Sequence, residues 1–312
     1  MAHQTGTLSE GARRVWRHQR VLWWLFAVNL ALAAFGTQPV DRAIGRVADH
    51  SLYAQRLYQG FDLSAFSELA ANPEVALWSK VSSSLLFAVV FLGVALFLTG
   101  GILETYRSDR KLATGEFFFA CGTFFWRWVR LLVLLLVAIV PIAMLGSVIT
   151  GWAAVLSDAA PQEKLGFWVE VAGLLLVTVL MMAVRLWFDM AQVRVVAEEE
   201  RSVVRALVRA FRLTRDHFGS LFWMYIRISF LAWLGLAAAL FLWIRVPAQR
   251  LGFSFFVLEM ALLWWMGTRL WQRASETVWY ERHSAAPQMM TPLPAPETFL
   301  SSVTAASPES GM

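Results

Sequence analysis

Val81 to Leu103 reads VSSSLLFAVVFLGVALFLTGGIL, 23 residues without a single charge. At 1.5 Å per residue a helix of that length covers about 34 Å, enough for a hydrocarbon core of about 30 Å. A soluble domain would have to bury such a run completely, and this chain has several. Toward the N-terminus, VLWWLFAVNLALAAFGTQPV (Val21 to Val40) is again uncharged, and Pro39 is expected to mark its exit. Toward the C-terminus, a third span fits residues 131–157. It is long enough to require tilt, and Pro141 near its middle is expected to kink it. A fourth fits 167–188, with Glu170 and Arg185 close to opposite interfaces and Arg185 snorkelling. Spans at about 221–244 and 251–270 complete the set. The fold class is therefore all-α, a polytopic transmembrane bundle of six spans with short interfacial helices.

Composition agrees with this reading. Hydrophobic residues make up 58% of the 312, charged residues only 16%, and mean hydropathy is +0.55. Soluble domains carry roughly 25% charge. Sixteen Trp and 23 Phe suit lipid contact and the aromatic belts at the two interfaces. The net charge of +5 is no nucleic-acid signal, because the basic residues flank the apolar runs. One cysteine, Cys121, leaves no internal disulfide and no multi-cysteine zinc site, and among Phe residues it reads as apolar filler.

The basic residues set an expected orientation. With the N-terminus in the cytoplasm, 19 Lys and Arg fall inside and seven outside, with Arg227 counted apart. Both termini are then cytoplasmic, as in a multi-pass protein of the bacterial inner membrane. The start, MAHQTGTLSEGARR, contains Glu10 and no cleavage pattern follows, so the first span is expected to stay. Residues 1–283 form the membrane domain. Residues 284–312, rich in Pro, Ser and Ala, read as a disordered tail.

Loops 3–4 and 5–6 are short and imply tight outer hairpins. Loop 1–2 is long, and Val40, Ile44, Val47, Leu52 and Leu57 fall roughly at helical spacing, which predicts short helices on the outer interface. Residues 199–215 place Arg201, Arg205 and Arg209 four apart with apolar residues on another side, a basic amphipathic helix suited to anionic inner-leaflet lipids. Arg20 and Arg130 occupy similar headgroup-anchoring positions. TGEFFFACGTFFWRW before the third span reads as an aromatic interfacial element.

A local pattern occurs three times. VWRHQR, FWRWVR and FWMYIR each place Trp four residues before Arg (Trp16 and Arg20, Trp126 and Arg130, Trp223 and Arg227) ahead of a span. RLWFDMAQV at Arg185 and RLWQRASET at Arg269 follow two later spans. This predicts three parallel two-span units, although Trp and Arg are also expected wherever helices enter a membrane.

Four residues form the candidate functional or polar core. Glu259 lies about halfway across the sixth span, where a carboxylate is costly unless paired, hydrated or protonated. It is either a proton, cation or headgroup site, or a structural hydrogen-bonding group with Asn29, Thr178, Ser229 or Ser254 as partner. Arg185 and Asp189, four apart, form a local ion pair or a docking point. Arg227 is the interfacial counterpart of Arg130. Glu170 could meet Arg245 or Arg250. Ala143, Ser147 and Gly151 in the third span, and Gly235 with Ala239 in the fifth, form small-residue stripes for helix packing. No HExxH, GxSxG or phosphate-binding glycine loop occurs, the five His residues make no close pair in sequence, and no metal or cofactor is expected.

The segments GEFFFACGTFFWRWVRLL, WFDMAQVRVV and RALVRAFRLT resemble uncharacterised bacterial six-span proteins. More distantly, the layout is similar to the membrane domain that accompanies some glycerophosphodiester phosphodiesterases. That resemblance implies a helical bundle and transfers no active-site residue. The functions left open are a structural or accessory membrane protein with a membrane-protein partner or a second copy, a lipid or small-solute transporter using Glu259, and, third, a lipid-acting membrane enzyme.

Overall fold

The computed structural model describes residues 2–48, 64, 67–68, 71, 77–159, 164–247 and 250–284. Eight long helices order it: α1 Ala2–Arg17, α2 Gln19–Ala48, α3 Leu77–Ser108, α4 Thr114–Ala159, α5 Lys164–Ala197, α6 Val203–Asp216, α7 Phe218–Arg245 and α8 Leu251–Ser284. Six of them, α2, α3, α4, α5, α7 and α8, are long and apolar enough to cross a membrane. Each contains one of the six expected spans. The tail beyond residue 284 and most of loop 1–2 lie outside the described residues.

The helices outrun the spans. α4 has 46 residues and α8 has 34, about 69 Å and 51 Å at the helical rise, well beyond a hydrocarbon core. The aromatic segment before the third span is thus no separate interfacial helix but the first turns of α4. α2 likewise does not stop at Pro39; it continues to Ala48 and absorbs the start of the expected outer helix. Proline removes one backbone donor, while the apolar spacing of Ile44 and Val47 carries the helix on. α4 also passes Pro141 without interruption.

Burial is concentrated at one end. Between none and 22% of each span's most apolar window is buried, so those flanks are left to lipid. The main core joins the C-terminal part of α3 (Leu103), the early turns of α4 (Phe124, Trp128, Leu131), the end of α5 (Leu186 to Val196), one face of α6, the start of α7 and the end of α8 (Trp279, Tyr280). Two apolar helices in hydrocarbon gain little by hiding from lipid that is equally apolar. Helix ends that emerge into water do gain by packing, so the large core sits where the helices leave the membrane. This is the basic end of the bundle.

The packing at that end repeats three times. α1 lies on α8, where the Trp271 indole donates to the Leu8 carbonyl at 2.8 Å. α6 lies on α5, where the Trp187 indole donates to the Leu207 carbonyl at 2.8 Å. The start of α4 lies on α3, with Gly100 and Gly101 against Ala120, Cys121, Phe117 and Phe124. In each case the helix leading into one pair of spans packs on the second span of the neighbouring pair. The register differs from the Trp–Arg spacing. Trp16 and Arg20 fall on different helices, because the chain breaks at His18 between α1 and α2. The matching break before α7 is at His217, and Leu8 and Leu207 each precede their histidine by ten residues. RLW is the shared element, with its Trp as the clamp.

Close approach is purchased with small side chains. A Cβ on Gly11 would come within 2.9 Å of the Ser275 backbone, and one on Gly166 within 2.8 Å of the Ala153 carbonyl. Gly235 admits the Trp264 indole, which donates to the Leu231 carbonyl at 3.2 Å. The stripe Ala143, Ser147 and Gly151 does none of this. It is exposed, and α4 meets α5 through Gly146, Ile149, Ala153 and Ser157 instead.

Candidate functional site

The basic end contains two linked polar assemblies. The first lies between α5, α7 and α8. Asp189 accepts a hydrogen bond from the Tyr225 hydroxyl (3.1 Å) and another from the Gln272 amide (3.3 Å). The same amide nitrogen donates to Glu276 at 2.9 Å. Arg185 Nε stands 3.7 Å from Asp189, and its guanidinium lies over the Tyr225 ring at 5.4 Å. Glu276 is 1% exposed. One turn away, Arg273 donates to the Thr99 hydroxyl of α3 at 3.0 Å. Burying two carboxylates requires this many donors, since an unpaired buried charge costs several kcal/mol.

The second assembly ties the two ends of the chain to the middle. Arg14 on α1 makes a forked pair with Glu281 on α8, at 3.0 and 2.7 Å, and donates to the Tyr106 carbonyl at 2.6 Å. That carbonyl lies in the last turn of α3, where helical partners run out and the dipole favours a cation. Burial works to lower the Arg14 pKa, but the Glu281 hydrogen bond and the charges of Glu281, Asp109 and Glu10 outweigh it and raise it above its ordinary value. Arg107 repeats the arrangement one helix pair on, donating to the Val196 carbonyl in the last turn of α5 at 2.7 Å. Arg282 reaches back to Thr7 and Glu10, and the Tyr280 hydroxyl binds Glu198.

The turns are held by the same network. Asp109 and Glu199 have φ of 44° and 50°, the left-handed region that non-glycine residues rarely enter. Each sits just past a helix, where such a residue ends the helix. Asp109 is held by Arg17 and His18, and Glu199 by Arg107.

Of the sequence-derived polar core, the structure brings Arg185 and Asp189 together and builds the first assembly on them. Arg227 stands apart, over the Trp223 ring at 5.2 Å. Glu259 is also apart, half-buried, with its Oε2 buried and lacking a hydrogen-bond partner. Among the described residues, Glu170 makes no ion pair with Arg245 or Arg250; Arg245 lies over Phe241 instead. Arg20, Arg130 and Arg201 are exposed. Arg205 and Arg209 are exposed too, but both reach Glu200, at 3.9 and 3.4 Å, so part of their charge is compensated within the chain. α6 does not offer its whole apolar side to a membrane. Val203, Ala206, Leu207 and Ala210 pack into the core, leaving Val204, Val208 and Phe211 outside.

Sequence reasoning missed Glu276, Gln272, Tyr225 and Arg14. Past Leu270, α8 is buried on nearly every side, so it shows no amphipathic stripe. The only signal was the four-residue spacing of Gln272 and Glu276. The histidines also gather more than their spacing implies: His217 and His283 lie 5.3 Å apart, with Trp279 stacked on His283 at 3.9 Å. Among the described residues, no three His, Cys, Asp or Glu side chains are placed to hold a metal ion.

The fold and these assemblies define a class, an all-helical bundle with six membrane-spanning candidates and a packed polar end. Comparison with protein-family models, with curated proteins and with solved structures finds no match, and nothing ties the chain to the membrane domain that accompanies glycerophosphodiester phosphodiesterases.

Proposed function

We propose that this chain is a structural or accessory protein of the bacterial inner membrane, with both termini and the packed basic end in the cytoplasm. One observation carries the reading: among the described residues, the ion pairs, the capped helix ends and the large core gather in a platform at the basic end. A protein that acts by holding others needs a rigid surface outside the bilayer, and this platform supplies one. Its outer face carries Arg201, just before α6, and Arg205, Arg212 and Arg215 on α6, which suits an acidic partner or the anionic leaflet. Photo-crosslinking residues placed at Arg212 and Arg215, both exposed, test it in native membranes. The expected result is one reproducible protein adduct. Adducts to lipid or to the chain itself alone would overturn the accessory reading.

A second reading, transport of a lipid or small solute, is favoured by the unpartnered Oε2 of Glu259 in a span. Glu259→Gln would then abolish uptake coupled to protons in reconstituted vesicles, and unchanged uptake would remove this reading.

A further inference from the structure

A cavity of about 270 Å³ opens between α2, α3 and the start of α4, close to the basic end. That is just below the usual range for ligand pockets of about 300–1,000 Å³. Its two parts differ in chemistry. The depth is apolar, formed by Leu25, Val28, Val94 and Phe97. The Thr105 hydroxyl that lines it is already committed to the Gly101 carbonyl at 2.7 Å. The rim carries Arg17, Arg20, His18 and Lys111.

The rim charges are not equivalent. Arg17 and His18 are both engaged by Asp109, which leaves neither side chain free for a ligand. Arg20 and Lys111 are exposed and, among the described residues, belong to no ion pair. Thr114, at the positive end of the α4 dipole, opens on the same rim. The first-turn acid of α4, Glu116, does not line the cavity; it pairs with Arg110 at 3.2 Å and accepts from the Ala113 N–H at 3.3 Å. Two unpaired cations thus stand over an apolar slot at the level where the spans leave the membrane. Trp24 and Phe118, half-exposed with rings 6.1 Å apart, form a side wall that faces the lipid.

From this arrangement we infer that the cavity is a binding site for one anionic phospholipid. Its phosphate lies between Arg20 and Lys111, and one acyl chain enters the slot beside Trp24 and Phe118. Free phosphate satisfies only the rim and leaves the apolar depth empty. A zwitterionic lipid fills the depth but brings no net negative charge to the cations. An anionic phospholipid matches both, and the lateral opening lets it enter from the bilayer. The slot takes part of one chain and the remainder stays in the membrane.

The test is native mass spectrometry of the full chain in detergent, titrated with phosphatidylglycerol and with phosphatidylethanolamine of identical acyl chains. One phosphatidylglycerol is expected to bind preferentially. Arg20→Gln with Lys111→Gln should weaken it about 30-fold, about 1 kcal/mol per cation lost, and leave phosphatidylethanolamine unaffected. Both residues are exposed, so circular dichroism and melting temperature should match the parent. Inorganic phosphate at millimolar concentration should not displace the lipid. A phosphatidylglycerol with a photoreactive acyl chain should label Val28, Val94 or Phe97. Equal binding of the two lipids, full retention by the double variant, displacement by phosphate, or labelling confined to the outer faces of the spans would each overturn the assignment.

Discussion

At the scale of the residue, Arg14 is the most consequential side chain. It is 8% exposed, and it joins α1, α3 and α8 through one guanidinium. Arg14→Met keeps much of the volume but leaves Glu281 and the Tyr106 carbonyl without their donor. The expected cost is about 2 kcal/mol, below the full figure for a buried pair because Glu281 is partly exposed. Thermal unfolding of the purified protein in detergent measures it, and an unchanged midpoint would contradict the role given to Arg14. Tyr225→Phe removes one donor to Asp189 and leaves Gln272 and Arg185 in place. A smaller loss, about 1 kcal/mol, is expected by the same assay. Charge alone marked Arg185 and Asp189 in the sequence because they sit four apart on one helix. Tyr225 was not legible, since its partner Asp189 lies 36 positions away along the chain. Gln272 lies 83 positions from Asp189, and it and Glu276 fall in a stretch with no periodic signal.

At the scale of the element, close helix approach decides what can change. Gly11→Val places a side chain against the Ser275 backbone, so α1 must lift from α8. A loss of about 1–3 kcal/mol is expected, together with faster proteolysis at Arg13 and Arg17. Retained protease resistance would show that α1 is not docked. Ala143→Leu in α4 should change stability by no more than about 0.5 kcal/mol, because that position is exposed. The 143, 147, 151 spacing has the form of a packing stripe, whereas isolated glycines such as Gly11 and Gly166 do the packing. Small-residue spacing says where a helix can approach, and only the fold says which approach is used. The existence of the six long helices was legible because uncharged runs of about 20 residues have few alternatives. Their true lengths were not, because charges that end a span do not end a helix. Arg130 within α4, Arg185 within α5 and Arg273 within α8 all continue as helix.

At the scale of the whole molecule, a lipid-facing half is distinct from a packed basic half. Three leading segments, α1, the start of α4 and α6, close a ring by packing on the second span of the neighbouring pair. This arrangement requires residues near 9, 202 and 284 to lie on one side of the membrane and residues near 164 and 247 on the other. The chain offers a clean background for measuring this, since its one cysteine, Cys121, is fully buried. In a Cys121→Ala background, single cysteines at Ser9, Ser202, Ser284, Lys164 and Pro247, all exposed, report their side through a membrane-impermeant maleimide. In intact cells, labelling is expected at Lys164 and Pro247 only. Labelling of Ser9 or Ser284 in intact cells, or protection of Pro247, would contradict the six-span arrangement with its packed end in the cytoplasm.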